Sequence, residues 1–559
     1  MKKRVILLLA LLILAGVLVW AGGKQEPEAE APTVVEMEFE NSWENFKDDP
    51  IALTLFADSP TFEAEKFMKY DTLIPRLTRE ETGVTLDIRE AVDSSPQSLN
   101  LLIASGDYPD IMFIDFGDHT IEAANLIEHD QIWSYDDLKE KYGIDVLRHL
   151  GINQRFNLRS TFMKDEIYFA NSYGLRDEYY DSPWLVKWQV GAYMNEKLYK
   201  EVGAPPINSF DDLMDAVEKI KARHPRRVEY GINITRGTGD GDFGEPAEFE
   251  TLIRFYGLND PRNYWQLGGK HKFYFQAPAF LDLLKDFNEM VNRGFLSPII
   301  WTGSKDDKWG QLFAGSAVVT LNGDADNLLK YNSAIQIKFP DERYIMLPPF
   351  PGDPKYEYTA AGKIGAGGPE GWAIPKGGKN TLRALAFVDY MMSEHFQKLN
   401  QFGREGKEHT VVDGMPKLLP EVAKMGDTDI AGEYYLNILH GSIRDSYWAM
   451  VDRQRRQPSM LEGIKVLKPC IEDFRDLTFV PEAVNAPYPQ DSEELKIRAL
   501  IAEAFGDGVV RIVQGPPDKV ESEYRKLMQQ LESMGLSKLN AFQQEAAENF
   551  AELVEKYKD

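Results

Sequence analysis

The chain has 559 residues, 43% of them hydrophobic and 27% charged, with a formal net charge of −26 and one cysteine, Cys470. That charge argues against a nucleic-acid partner, whose binders carry basic footprints, and against adhesion to anionic lipid. A lone cysteine excludes an intramolecular disulfide and a cysteine-based metal cluster, and a chain this long exceeds one typical core, so at least two lobes are expected.

Lys2, Lys3 and Arg4 precede an apolar run from Val5 to Val19, and Val19-Trp20-Ala21 has the form of a cleavage site. Residues 1–21 therefore read as a secretory signal peptide, and the mature protein as exported to the periplasm or the exterior. Residues 22–49 are rich in Glu, Ala and Pro and read as a disordered linker. Ile51 to Phe56 is the first strand, and Ala57-Asp58-Ser59-Pro60 ends it. Phe67, Tyr70, Leu73 and Leu77 follow a helical stripe, and Val84, Leu86 and Ile88 alternate as a strand. Leu99, Leu102 and Ile103 share the next helical face. Gly106 supplies its left-handed stop, and Pro109 prevents the helix from resuming. Ile111 to Ile114 is the all-apolar run of a buried parallel strand, with Asp115 emerging at its carboxyl end, where open α/β sheets place ligands. The opening is thus βαβαβ, which implies a parallel sheet with right-handed crossovers.

A second unit begins near Trp188. Gly191 to Asn195 reads as a strand end, and Ser209-Phe210-Asp211-Asp212 has the form of a capping box ahead of the stripe Leu213, Val217 and Ile220. Val228 to Ile234 is the next strand, and Tyr344 to Leu347 another, running into Pro348-Pro349. Gly371 to Ile374 leads into a helix carrying Leu385, Phe387, Val388 and Met391. Val520, Tyr524, Leu527, Met528 and Leu531 share a helical face that Gly535 ends, and Leu539, Phe542, Phe550 and Leu553 continue on a last helix.

Four stretches, taken in order, resemble the long, sugar-associated extracellular solute-binding proteins of bacterial ABC importers. They are Ala104 to Asp110, Tyr193 to Tyr199 with Gly203 to Pro206, Phe313 to Val319, and Phe402 to Glu408. The resemblance covers nearly everything after residue 50. It implies an α/β, two-lobe, type II periplasmic-binding-protein-like fold with the ligand cleft between lobes joined by hinge segments. Lobe 1 is placed at 50–175 plus 350–405 and lobe 2 at 176–349 plus 406–559, with crossings near 176–190, 343–350 and 400–410. It also implies that the chain captures an oligosaccharide or other small solute by lobe closure and delivers it to ABC transporter permease subunits. It is expected to act as a monomer, without cofactor, resident metal or catalysis. Two departures stand out. Ala21-Gly22-Gly23 offers no lipobox cysteine, so no lipid anchor is expected, and Ala325 replaces a stacking tryptophan found in some relatives.

Sugar sites pair aromatic faces with carboxylates or amides that take hydroxyls. Trp372, after a glycine-rich turn, and Trp188, at the first crossing, are candidate platforms, with Trp448 a third. Asp58 and Asp115 follow strand ends in the first lobe, where the resemblance places ligand contacts, and Asp118 lies beside them; helix capping is the alternative role for the first two. Asn322 and Asp324 are the second-lobe candidates, and Arg404 and Glu405 are placed to pair across the hinge. Gly239 to Gly244 matches a GxGxxG pattern, but its two aspartates would repel a pyrophosphate, and it lacks the full calcium-loop pattern, so it reads as a surface loop. Neither His-Glu-x-x-His nor Gly-x-Ser-x-Gly occurs. An exported carbohydrate-active enzyme needs only two carboxylates and stays open as an alternative, as do a binding protein for a peptide and a receptor-like module.

Overall fold

The computed structural model describes residues 38, 40–58, 68–91, 96–117, 119–171, 190–234, 270–298, 305–324, 327–348, 370–423, 486–489 and 491–554, with isolated positions at 252–258, 350, 448, 462, 465 and 466. The signal peptide, the linker through residue 37, Asp118, Trp188, the Gly239–Gly244 loop, Ala325 and Cys470 lie outside the described residues.

The first sheet has the order β2-β1-β3-β9-β4, built from β1 (Ile51–Asp58), β2 (Val84–Glu90), β3 (Ile111–Asp115), β4 (Ala170–Asn171) and β9 (Glu370–Ala373). β1 lies between β2 and β3 and runs parallel to both, as the βαβαβ opening predicts. All five residues of β3 are buried, because helices cover both faces of such a sheet. β9 enters antiparallel between β3 and β4. Gly106 adopts φ 66 and donates its N–H to Leu102 O, closing the helix Pro96–Ser105 as expected. The helix after β1 starts only at Leu73, and Tyr70 precedes it, its hydroxyl accepting the Leu86 N–H.

Asp110 explains why Ala104 to Asp110 forms a compact motif. One carboxylate oxygen accepts from Thr54 N–H and Oγ1, both at 2.9 Å, and the other accepts from the Lys379 and Asn380 N–H groups. This buried carboxylate joins β1 to the start of the helix Thr381–Met392, far along the chain.

The carboxyl end of the expected linker is packed, contrary to its polar composition. Residues Ser42–Phe46 form a short 3-10 helix in which Trp43 is buried, edge-on to Tyr390 at 5.4 Å between ring centroids. Ser42 Oγ donates to Asp389 at 2.6 Å, and Arg148 and His149 hold the same carboxylate at 2.9 and 2.8 Å. Asp389 is completely buried, and despite that burial its pKa is held below the ordinary carboxylate value by His149, Arg148 and Ser42.

The second sheet has the order β6-β7-β5-β8, from β5 (Val190–Asn195), β6 (Gly231–Asn233), β7 (Ala317–Asp324) and β8 (Tyr344–Leu347). β5 pairs antiparallel with both β7 and β8, while β6 and β7 run parallel. β6 is shorter than its apolar run because the Val228 N–H is spent on His224 O, in the turn that follows the helix Phe210–Arg223. Ser209 caps that helix by accepting from Asp212 N–H, but Asp212 reaches back to Asn208 N–H rather than to Ser209, so the box is half made.

The second core includes the carboxyl-terminal helices Glu493–Gln514, Val520–Met534 and Leu536–Val554. Phe505 meets Phe275 at 4.4 Å, and Asn288 Nδ2 donates to the Ile512 and Val513 carbonyls. Phe350 also packs in this core. The last helix reaches further: Leu536 and Leu539 sit in the second core, whereas Phe550 faces Phe156, on the helix Ile152–Phe162 beside the first sheet, at 6.5 Å.

The chain stays with the first core beyond the expected third crossing near 400–410. The hairpin β10 (His409–Val412) and β11 (Met415–Leu418) turns at Asp413-Gly414, both with positive φ, and Val422 after it is a first-core residue. Arg404 pairs with Glu408, across the turn that follows the helix Glu394–Phe402, at 2.7 and 3.1 Å and not with Glu405.

Candidate functional site

Two passages run from strand to strand between the sheets, and both are tethered to the same edge of each; a third takes the chain from Val422 of the first core to Tyr488 of the second. β4 ends at Asn171 and β9 begins at Glu370, on the edge where β1 and β3 end. In the second sheet β5 begins at Val190 and β8 ends at Leu347, on the edge where β7 ends at Asp324. Both links thus leave from and arrive at these edges, where strand ends in α/β sheets present ligand-binding groups.

The first edge carries a row of buried polar residues. Asp58 closes β1 in register with Ile114, Asp115 closes β3 directly opposite Glu370, and Asn171 of β4 lies opposite Gly371. All are under 8% exposed, as is His119. His119 Nε2 lies 3.4 Å from Asp58 Oδ1. Burial works against a charged ring here, yet the bond and charge of Asp58, with Glu122 and Asp115 adding to it, raise the His119 pKa above the ordinary imidazole value. Asp115 Oδ1 accepts the Gly117 N–H at 3.1 Å, and its carbonyl accepts the His119 N–H at 3.0 Å, so the turn after β3 is closed twice. Gln154 donates to Asn171 O at 2.9 Å. A Cβ on Gly371 would approach Phe116 at 3.0 Å and Phe169 at 3.1 Å, so the glycine lets β4 and the turn after β3 close over β9.

The structure thus brings Asp58 and Asp115 to one edge. It places Asn322 and Asp324 in the last residues of β7, with Asp324 opposite Val190. Trp372 departs from the expected platform: its ring is fully buried, packed on Phe113 at 4.8 Å between centroids, and Tyr135 donates to its carbonyl. With no exposure left, neither ring face is open to solvent. Trp448 is likewise packed, edge-on to Phe402, with Nε1 donating to Glu394 and Lys398 over its face at 4.5 Å. His119, Asn171 and Glu370 were not singled out from the sequence. Glu370 immediately precedes the Gly371 strand start, and His119 lies one residue past Asp118, so proximity to chosen positions was the available signal.

Among the described residues no group of three or more His, Cys, Asp or Glu side chains is arranged to hold a metal ion. No described helix is long and apolar enough to cross a membrane.

A family model for the bacterial extracellular solute-binding proteins matches residues 63–398. The fructooligosaccharide ABC transporter substrate-binding protein FusA of Streptococcus pneumoniae is 24% identical over 221 residues, which span 37% of this chain and 38% of that relative. In three dimensions the chain is similar to the alginate-binding protein AlgQ2, with a TM-score of 0.65 at 17% identity over 90% of this chain and 98% of that one. It is similar also to an HMO-binding, ABC-transporter-associated solute-binding protein from Bifidobacterium longum infantis, with a TM-score of 0.63 at 15% identity over 90% and 99%. At these identities the likeness shows the fold, a two-lobed, type II periplasmic-binding-protein-like arrangement of the two sheets.

Proposed function

Since the chain belongs to the bacterial extracellular solute-binding proteins, we propose that it captures an oligosaccharide between its lobes and passes it to the membrane subunits of an ABC importer. The observation that carries this reading is the polar edge of the first sheet, tethered by both crossings to the Asn322–Asp324 edge of the second. Binding there draws the edges together, because a solute that touches both favours the closed arrangement by its differential contacts. The substrate class follows the relatives: FusA is named for fructooligosaccharides and AlgQ2 for alginate.

On this reading Asp58, Asp115 and Asp118 serve from the first lobe, Asn322 and Asp324 from the second, and Trp188 from the crossing between them. The chain passes between the lobes at that crossing, at 348–369 and again after the β10–β11 hairpin, which stays with the first lobe. The protein works outside the cytoplasmic membrane as a monomer, exported by its amino-terminal leader, and releases its sugar unaltered.

A thermal-shift screen of the purified protein tests this with fructooligosaccharides, N-glycan fragments, alginate oligosaccharides, monosaccharides and peptides. A solute at a hundredfold excess over its dissociation constant stabilises the native state by about 2.7 kcal/mol. A shift with one oligosaccharide class, without product in the supernatant, is the expected result. A shift with peptides alone, or turnover of the sugar, would sink the reading.

A further inference from the structure

Asp58 and His119 form a buried pair on the first edge. They are 1% and 2% exposed, yet Asp58 Oδ2 and His119 Nδ1 each lack a hydrogen-bond partner. A buried polar atom left without a partner is costly, so such atoms mark places where something else completes the network. The couple also sits under a loaded piece of backbone. The His119 N–H closes the turn onto the Asp115 carbonyl, and the helix Thr120–Glu128 starts at the next residue. Fixing the His119 ring on Asp58 therefore fixes the turn that carries Asp115.

We propose that Asp58 and His119 are the positioning couple of the solute site, holding the turn Asp115–His119 and leaving one carboxylate oxygen and one ring nitrogen to take a hydroxyl group of the bound saccharide. This rests on the solute-capture reading above. A hydroxyl both donates and accepts; the free carboxylate oxygen can only accept, and Nδ1 of a protonated imidazole can only donate, so the two complement it. A solute carboxylate or phosphate would have no proton to give Asp58. The groups acting on the ring are Asp58 from β1, Asp115 from β3 and Glu122 from the following helix, with Glu370 of β9 opposite Asp115. All are acidic, so they favour the protonated ring. As pH rises past the His119 titration, the Nδ1 proton and the charge that holds Asp58 are lost together, and affinity falls.

The test measures the dissociation constant for the tightest-binding neutral oligosaccharide of the panel, across pH, in wild type, Asp58→Asn and His119→Gln, with the ligand-free melting temperature of each. The expected result is a loss of about tenfold or more in affinity in both variants, the size of a charge-assisted hydrogen bond. The alkaline fall in affinity should flatten, and the ligand-free melting temperature of Asp58→Asn should hold or rise. Variants that melt earlier yet bind as wild type, with the pH slope intact, would assign the couple a purely structural role and overturn the proposal. If a variant does not fold, the wild-type pH profile and the NMR titration of His119 decide: affinity that ignores the His119 titration overturns it. A wild type that binds no saccharide of the panel overturns the solute-capture reading, and the couple's role with it.

Discussion

Replacing Arg227 by methionine should destabilise the second lobe by about 3–5 kcal/mol, the cost of leaving a buried charge without its partner. The Arg227 guanidinium donates to both Glu342 oxygens, at 2.7 and 2.6 Å, and to the Gly315 carbonyl at 2.8 Å, while it lies over the Phe339 ring at 3.7 Å. Glu342 is 3% exposed and receives one further bond, from Asn195 Nδ2. Methionine keeps the apolar stem against Phe339 but strips the carboxylate of its counter-charge. Adding Glu342→Gln removes the charge that suffers, so the double variant should recover much of the loss and the two changes should couple strongly. Burial pushes the Glu342 pKa up, but Arg227 and Asn195 outweigh it and hold the pKa below the ordinary carboxylate value. The sign follows: the pair's contribution is complete above the unfolded carboxylate pKa of about 4.3 and is lost as pH falls through the lower folded value. Urea unfolding followed by tryptophan fluorescence at neutral and acid pH measures each term. A loss under about 1 kcal/mol for the single variant, or a double variant as unstable as the summed singles, would refute the reasoning.

Trp43→Ala should cost about 3–5 kcal/mol in first-lobe stability, read by denaturant midpoint, because the ring fills a core position against Tyr390; a neutral effect would mean that the segment is dispensable. Phe550→Ala removes the ring that faces Phe156. Hydrogen exchange should then accelerate both in the last helix and in Ile152–Phe162, and a change confined to the last helix would show that it does not couple the lobes. At Gly508 a Cβ would come within 2.5 and 2.8 Å of the two Leu527 methyls. Overpacking of about 1–3 kcal/mol outweighs the roughly 1 kcal/mol of helix propensity gained, so Gly508→Ala should lower the melting temperature; a rise would mean that Leu527 moves aside freely.

What could be read from the sequence was what neighbours in the chain decide. Alternation and apolar runs located β1, β2 and β3, and Gly106 stopped its helix where a left-handed residue was needed. Asp58 and Asp115 could be placed because a strand's carboxyl end is a local property. Roles set by register between distant segments were hidden. Trp372 has the look of a platform beside a glycine-rich turn, but its strand pairs between β3 and β4 and its ring is buried against Phe113. Glu370 and Asn171 join the polar edge through that same pairing. Trp43 sits in a stretch whose polar composition says linker, and its partner Tyr390 lies in a helix more than three hundred residues later. Arg404 meets Glu408 and not Glu405 because the turn after the helix Glu394–Phe402, closed by the Glu408 N–H on the Arg404 carbonyl, brings those two together. The β10–β11 hairpin does carry a local sign, the Asp413-Gly414 pair between apolar residues.

The position of β9 has a consequence for how the molecule is made. β3 and β4 are joined only through β9, so a nascent chain that has just delivered β4 has no strand to bridge them. The missing strand follows β3 by roughly 250 residues, a delay of roughly 10–50 s at ordinary rates of synthesis. The second lobe waits longer still, since its core includes residues from Tyr488 to Leu539. Both cores are thus closed by residues late in the chain, β9 for the first and the carboxyl-terminal helices for the second.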